Sequence, residues 1–177
     1  MVEPETQSPP RDRRVWWSAL AVVLAATVLV ALLAVRLAPP GIRMAENSSG
    51  GPSPILATCT HYPGAEVSIT APAAGTVVVR ATVGIGIGHT LGTNDTAHIV
   101  VAAASTDCTV SNYTAFVSVP AGLPTSTAYY ETLPLLRPFP IPSGGTYTFY
   151  VNGAMAQGWD LGDRFDSASL VAVYYPN

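Results

Sequence analysis

The densest grouping of side chains that could do chemistry is Trp159-Asp160-Leu-Gly-Asp163-Arg-Phe-Asp166. Three carboxylates within seven residues could hold calcium through oxygen ligands. The spacing lacks the alternation of a calcium-binding loop, and aspartates also favour turns by bonding their own backbone, so a plain hairpin loop is the competing reading. Calcium is the one cofactor these residues suggest. The histidines, His61, His89 and His98, are far apart in sequence, and a metal would need them to converge from separate strands. Gly84-Ile-Gly-Ile-Gly88-His-Thr-Leu-Gly92 is glycine-dense, yet a phosphate-binding loop needs a helix after it. Thr93-Asn-Asp-Thr leads into a β pattern instead, so the run reads as a strand ending in a mobile turn. No Gly-x-Ser-x-Gly marks a nucleophile. No catalytic residue is assigned, and the chain is expected not to be an enzyme. Tyr129-Tyr130, Trp159 and Tyr174-Tyr175 could make an aromatic platform for a sugar, or belong to a core or a subunit contact.

Two cysteines, Cys59 and Cys108, make an even pair. In a domain outside the cytoplasm they would form one disulfide. Two buried free thiols are the alternative if the domain is not exported. A metal site is disfavoured because neither cysteine has a second cysteine or a histidine at ligand spacing. Asn47-Ser-Ser, Asn94-Asp-Thr and Asn112-Tyr-Thr match the glycosylation acceptor pattern, which matters only in a host that glycosylates.

The elements that must position these residues begin with an apolar stretch. Residues 15–35 carry no charge and five Leu and six Val among their 21 residues. A helix of that length spans roughly 30 Å, the hydrocarbon thickness of a bilayer. Arg11, Arg13 and Arg14 precede it, and Arg36 and Arg43 follow. The positive-inside rule therefore keeps residues 1–14 cytoplasmic and sends the remainder outside. Trp16 and Trp17 suit the headgroup level. A cleaved signal peptide is the competing reading, but the run is long, and Arg36 and Pro39-Pro40 sit where cleavage would fall. The expected division is a disordered tail over 1–14, a signal-anchor helix over 15–35, a Pro/Gly/Ser stalk over 36–54 and an extracytoplasmic β domain over 55–177. Localisation is then the cell membrane, single-pass.

Beyond residue 54 the apolar period is two. Val67, Ile69 and Ala71 alternate with Glu66, Ser68 and Thr70, and Val77, Val79, Ala81 and Val83 with Thr76, Arg80 and Thr82; Ala97 to Ala103, Ala115 to Val119 and Tyr147 to Val151 form further runs of period two. Pro/Gly turns separate these runs, which is the pattern of half-buried antiparallel strands. About eight short strands imply an all-β fold, an antiparallel β-sandwich or jelly roll. Residues 129–142 hold Pro134, Pro138, Pro140 and Pro142, so they form an edge strand or a broken one. The run Leu170-Val171-Ala-Val173-Tyr174-Tyr175 is apolar on both faces. It is either a central strand or a subunit contact. From residue 38 onward four arginines face eight carboxylates, and the chain has no lysine at all. Without a basic stripe it is a poor nucleic-acid binder. A protein or glycan partner remains open.

Gly145-Thr-Tyr-Thr-Phe-Tyr150 and the terminal Ser169-Leu-Val-Ala-Val-Tyr-Tyr-Pro176 resemble the ending of jelly rolls of the complement-globular-head and tumour-necrosis-factor type. Val67-Ser-Ile-Thr-Ala-Pro-Ala-Ala-Gly75-Thr-Val-Val-Val resembles the opening strands of bacterial domains of this kind. The resemblance implies a ten-stranded sandwich, usually trimeric and often carried on a stalk. It brings no catalytic residue. A homotrimer is the assembly it implies, although no Gly-X-Y repeat is present to drive one.

Overall fold

The computed structural model describes residues 23–30 and 41–177, which fall in two separate units divided at Pro39/Pro40. In the first unit, residues 23–30 are α-helical with exposed valines and leucines. The rest of the expected 15–35 anchor, the 1–14 tail and residues 36–40 lie outside the described residues. Among the described residues no helix is long and apolar enough to cross a membrane.

In the second unit every other residue from Val77 to Ile87 is apolar and at most 4% exposed. A strand of this pattern must be covered on that face, and the same period recurs along the chain. Eight strands result: β1 (Arg43–Pro54), β2 (Thr60–Ala71), β3 (Gly75–His89), β4 (Asp95–Ala102), β5 (Ala115–Val119), β6 (Ser126–Ile141), β7 (Gly145–Gln157) and β8 (Arg164–Pro176). They form two four-stranded antiparallel sheets, ordered β1-β8-β3-β6 and β2-β7-β4-β5. The pairings β1–β8, β2–β7, β3–β6 and β4–β5 are those of one long ribbon folded back on itself. Pairs β3–β8 and β4–β7 then wrap that ribbon into an all-β sandwich. Its core joins the two sheets through Phe139 against Phe149, centroids 4.4 Å apart, and Tyr62 stacked on Phe165 at 4.8 Å.

One expectation about the strands changes and two are resolved. The stalk does not reach residue 54, because residues 43–54 are β1, hydrogen-bonded to β8 from Arg43 opposite Tyr174 to Pro54 opposite Arg164. As an edge strand β1 needs partners on one side only, so Pro52 and Pro54 are tolerated near its bulge between Gly50 and Ser53. The glycine run is a strand that ends in a turn: β3 continues through Gly84, Gly86 and Gly88 to His89, and the turn falls at Leu91 and Gly92, where Gly92 has a φ of 98°. At Gly88 a Cβ would come within 2.6 Å of Asp160 Cγ, so glycine is required by close approach. The proline-rich segment is a continuous edge strand, β6, paired with β3 over its length.

Cys59 and Cys108 form a disulfide with Cα atoms 5.5 Å apart. It pins the 103–114 connection over the outer face of the second sheet. Asn152 in β7 donates from Nδ2 to Ala104 O and Asp107 O, both at 2.8 Å, which holds the same connection from below. That cover buries the outward residues Val100, Ala102 and Ala154 as well as the inward ones.

Candidate functional site

The loops β3–β4 (90–94), β5–β6 (120–125) and β7–β8 (158–163) are tied together at one end of the sandwich. Gly92 N–H donates to Ala121 O at 2.9 Å, Leu91 N–H to Thr125 Oγ1 at 3.0 Å, and Gly88 N–H to Asp163 Oδ1 at 3.0 Å. Beneath them the His89 ring is buried. Its Nε2 donates to Leu123 O at 3.0 Å, and its Nδ1 meets Asp95 Oδ2 in a short contact. The imidazole is thus held between a carboxylate and a carbonyl, with both nitrogens used. Above it lies an open cleft of about 510 Å³, lined by Thr90, Thr125, Ser126, Thr127, Asp160 and Leu161 among others. A cleft of hydroxyls and one carboxylate can accept a polar group. Both His89 nitrogens are occupied, so the imidazole is not free to act as a base toward these hydroxyls.

Asp163 is the second buried carboxylate here. Burial pushes its pKa up to about 6 from 3.8, helped by the nearby Asp160 and Asp95 charges and opposed by N–H donation from Asp160 and Gly88. A carboxyl whose pKa is higher folded than unfolded binds its proton more tightly in the native state. Its stabilisation is therefore complete below about pH 4 and is lost as pH rises through about 6. The shift of about two units corresponds to at most about 3 kcal/mol. In denaturant titrations, the stability of wild type minus that of Asp163→Asn should fall by up to that amount between pH 4 and 7. Parallel profiles would remove the assignment.

The Asp160, Asp163 and Asp166 carboxylates do not share a cation site. Asp163 spends both oxygens on backbone N–H groups, Asp160 Oδ1 accepts Gly162 N–H at 2.5 Å, and Asp166 Oδ1 accepts Arg164 Nε at 3.0 Å. Among the described residues no three His, Cys, Asp or Glu side chains are grouped to hold a metal ion. Asp160-Leu-Gly-Asp163 is instead a reciprocally bonded turn, with Asp160 N–H on Asp163 Oδ2 at 2.7 Å. Trp159 lies beside it with Nε1 donating to Ile55 O at 3.1 Å. The histidines stay apart: His61 lies against Tyr150 and His98 against Phe116, on the other sheet. Asn47 Nδ2 and Asn94 Oδ1 are engaged by backbone groups, whereas Asn112 stands exposed in the 103–114 connection.

The proposed subunit-contact set divides in two. Leu170 and Tyr174 face the core and are fully buried, so they leave it. Val171, Val173 and Tyr175 point to the outer face of the first sheet, because side chains alternate along a strand. Register aligns them there with Met44, Val78, Pro138 and Leu136. Met44, Leu136 and Tyr175 are 68%, 54% and 43% exposed. Nor do the tyrosines make one platform. Tyr174 is in the core, while Tyr130 and Tyr175 pair with Gly86 and Thr76, ten residues or about 33 Å apart along β3. The His89–Asp95 pair carried no sequence signal, since its six-residue spacing matches no motif and depends on how the β3–β4 loop closes.

No family model matches this chain, and no curated protein matches it. Among solved structures it is similar to that of the infectious bursal disease virus Gx strain, at 13% identity and a TM-score of 0.32, covering 76% of this chain and 32% of that one. A VP2 subviral particle of the same virus gives 16% identity and a TM-score of 0.32, over 77% of this chain and 33% of the other. The chain thus spans about a third of those chains' length. Likeness at this level carries neither fold nor function across. What stands is the β-sandwich seen in the strand pairings; no family model places it with complement-globular-head or tumour-necrosis-factor-like domains, and eight strands are present among the described residues where that resemblance implied ten.

Proposed function

We propose that this chain is a non-catalytic display protein: a membrane-anchored jelly-roll module that self-associates through the outer face of the β1-β8-β3-β6 sheet. The observation that carries this reading is the apolar patch of Met44, Leu136, Val171, Val173 and Tyr175 on that face. Exposed apolar surface of this kind marks interaction sites. Glu46 and Arg80 lie in the same cross-strand row as Val171, so the patch carries both signs of charge and a second copy can complement it. Both edges of the sheet hold prolines, Pro52 and Pro54 on β1 and Pro134, Pro138 and Pro140 on β6. Prolines block edge-to-edge pairing, which leaves the face as the contact. The jelly-roll reading is supported by the strand order, a ribbon wrapped into two Greek keys. Anchoring is supported by the uncharged 15–35 stretch and its helical residues 23–30. Export is supported by the disulfide, which persists in oxidising compartments.

The test is the molar mass of the full chain in detergent, by light scattering corrected for bound detergent. An assembly, a trimer in the first instance, is expected. The pair Leu136→Asp with Val173→Asp should return it to monomer without loss of the β signal in circular dichroism. A monomeric wild type at micromolar concentration would overturn the self-association.

A further inference from the structure

The outer face of the first sheet carries two formal charges that nothing on that face answers. Glu46 on β1 and Arg80 on β3 are exposed, and among the described residues neither forms an ion pair. The next charges along the face, Arg164 and Asp166, hold each other, Nε to Oδ1 at 3.0 Å. Glu46 and Arg80 both stand in the row of Val171, one on each side of it. Neighbouring strands lie about 4.8 Å apart, so the two charges straddle β8 at about 10 Å from each other. Beside Glu46 is a recess of about 440 Å³ lined by Glu46, Asn47, Ser48 and Ser169. Its lining has oxygen acceptors and no positive charge, which suits a guanidinium. Arg80 lines a different groove, with Leu136, Val171 and Tyr175.

Two copies that meet through the same face are related by a two-fold axis lying in the plane of contact. The charges select the direction of that axis. An axis across the strands sets Glu46 opposite Glu46 and Arg80 opposite Arg80, and it puts the Arg43 ends of the two sandwiches at opposite poles. An axis along β8 exchanges the strands on either side of it. Glu46 of each copy then faces Arg80 of the other, Met44 faces Val78 and Val173 faces Val173. Both copies also begin β1 at the same pole, as two chains anchored in one membrane require. We propose that the chain forms a face-to-face dimer about a two-fold axis along β8 at Val171, in which Arg80 of each copy enters the Glu46 recess of the other. This rests on the self-association proposed above and gives it a geometry. Unlike charges meet twice in such a dimer, and aligned sheets pack about 10 Å apart with apolar rows against apolar rows. A contact of this symmetry closes at two copies, so the charges move the expected assembly from the trimer that the resemblance implied to a dimer.

The full chain in detergent is measured by light scattering, corrected for bound detergent, as wild type, as Glu46→Arg, as Arg80→Glu and as an equal mixture of the two variants. Wild type is expected at the mass of two chains. Each variant alone opposes like charges at both contacts, and its self-association should weaken about a hundredfold or more. In the mixture unlike charges face each other at both contacts again, and the dimer should return. A folding fault in either variant is not repaired by mixing, and the β signal in circular dichroism reports the fold separately. Single variants that stay dimeric, or a mixture that stays monomeric, overturn the proposal. A trimeric wild type overturns the two-fold and leaves the self-association standing. A monomeric wild type overturns both.

Discussion

Replacing Asp95 by alanine should lower the unfolding free energy by about 3–5 kcal/mol, among the largest losses available to a single substitution in this fold. Asp95 and His89 are 2% and 1% exposed, and their side chains contact each other directly. Removing the carboxylate strands an imidazole nitrogen in a space closed by the β5–β6 loop. The other nitrogen is fixed on Leu123 O and cannot turn to compensate. Asp95→Asn retains an acceptor oxygen and the same shape, and it should cost less than half as much. Guanidinium unfolding of the two variants beside wild type measures both. Equal losses for alanine and asparagine would mean that the charge, rather than the missing acceptor, dominates. A loss below 1 kcal/mol for alanine would mean that the pair is not a keystone of the loop end.

The pair also shows where sequence reasoning reached its limit. Strands with one face in the core are legible: Ala115 to Val119 has the bounds of β5, because Ala115, Val117 and Val119 fall on one face and Pro120 closes the run. β1 was illegible for the opposite physical reason. Its residues are exposed or half-exposed throughout, so hydrophobic period carries no information, and only the pairing with β8 makes it a strand. In β3 the alternation persists as Ile85, Ile87 and His89, but the outward positions are glycines, whose space is filled by other strands and loops: Ser167 at Gly84, Asp166 at Gly86 and Asp160 at Gly88. The two-faced run at Leu170 to Tyr175 was correctly ambiguous. It is central, between β1 and β3, and among the described residues its outer side chains Val171 and Val173 are half-buried and Tyr175 is exposed. Candidate carboxylates at 160, 163 and 166 were found by counting, yet their roles differ because only Asp163 is closed off from water. Burial of a polar group is set by long-range packing, and local spacing does not encode it.

The cysteine pair was legible from number alone, and its removal is the other large effect expected. Reduction, or Cys59→Ser with Cys108→Ser, should destabilise the sandwich by about 4 kcal/mol. The bond closes a separation of 49 residues, and chain entropy scales with the logarithm of that loop. For a unit of this size each kcal/mol moves the melting point by roughly 3–4 °C, so a fall of about 15 °C is anticipated in calorimetry with and without reductant. Entropy is only part of the reason. The 103–114 connection covers Val100, Ala102 and Ala154, and its remaining hydrogen bonds to the sheet run from Asn152 Nδ2 to Ala104 O and Asp107 O, with Arg137 over the Tyr113 ring besides. Once the bond is gone that flap opens against two hydrogen bonds, each worth about 1 kcal/mol. Opening wets the outer face of β4 and β7. Amide exchange at residues 98–102 and 152–155 should therefore accelerate in the reduced protein well before the first sheet responds. If the melting point falls while exchange rises evenly over both sheets, the disulfide acts on the unfolded chain alone and the flap is not its point of action.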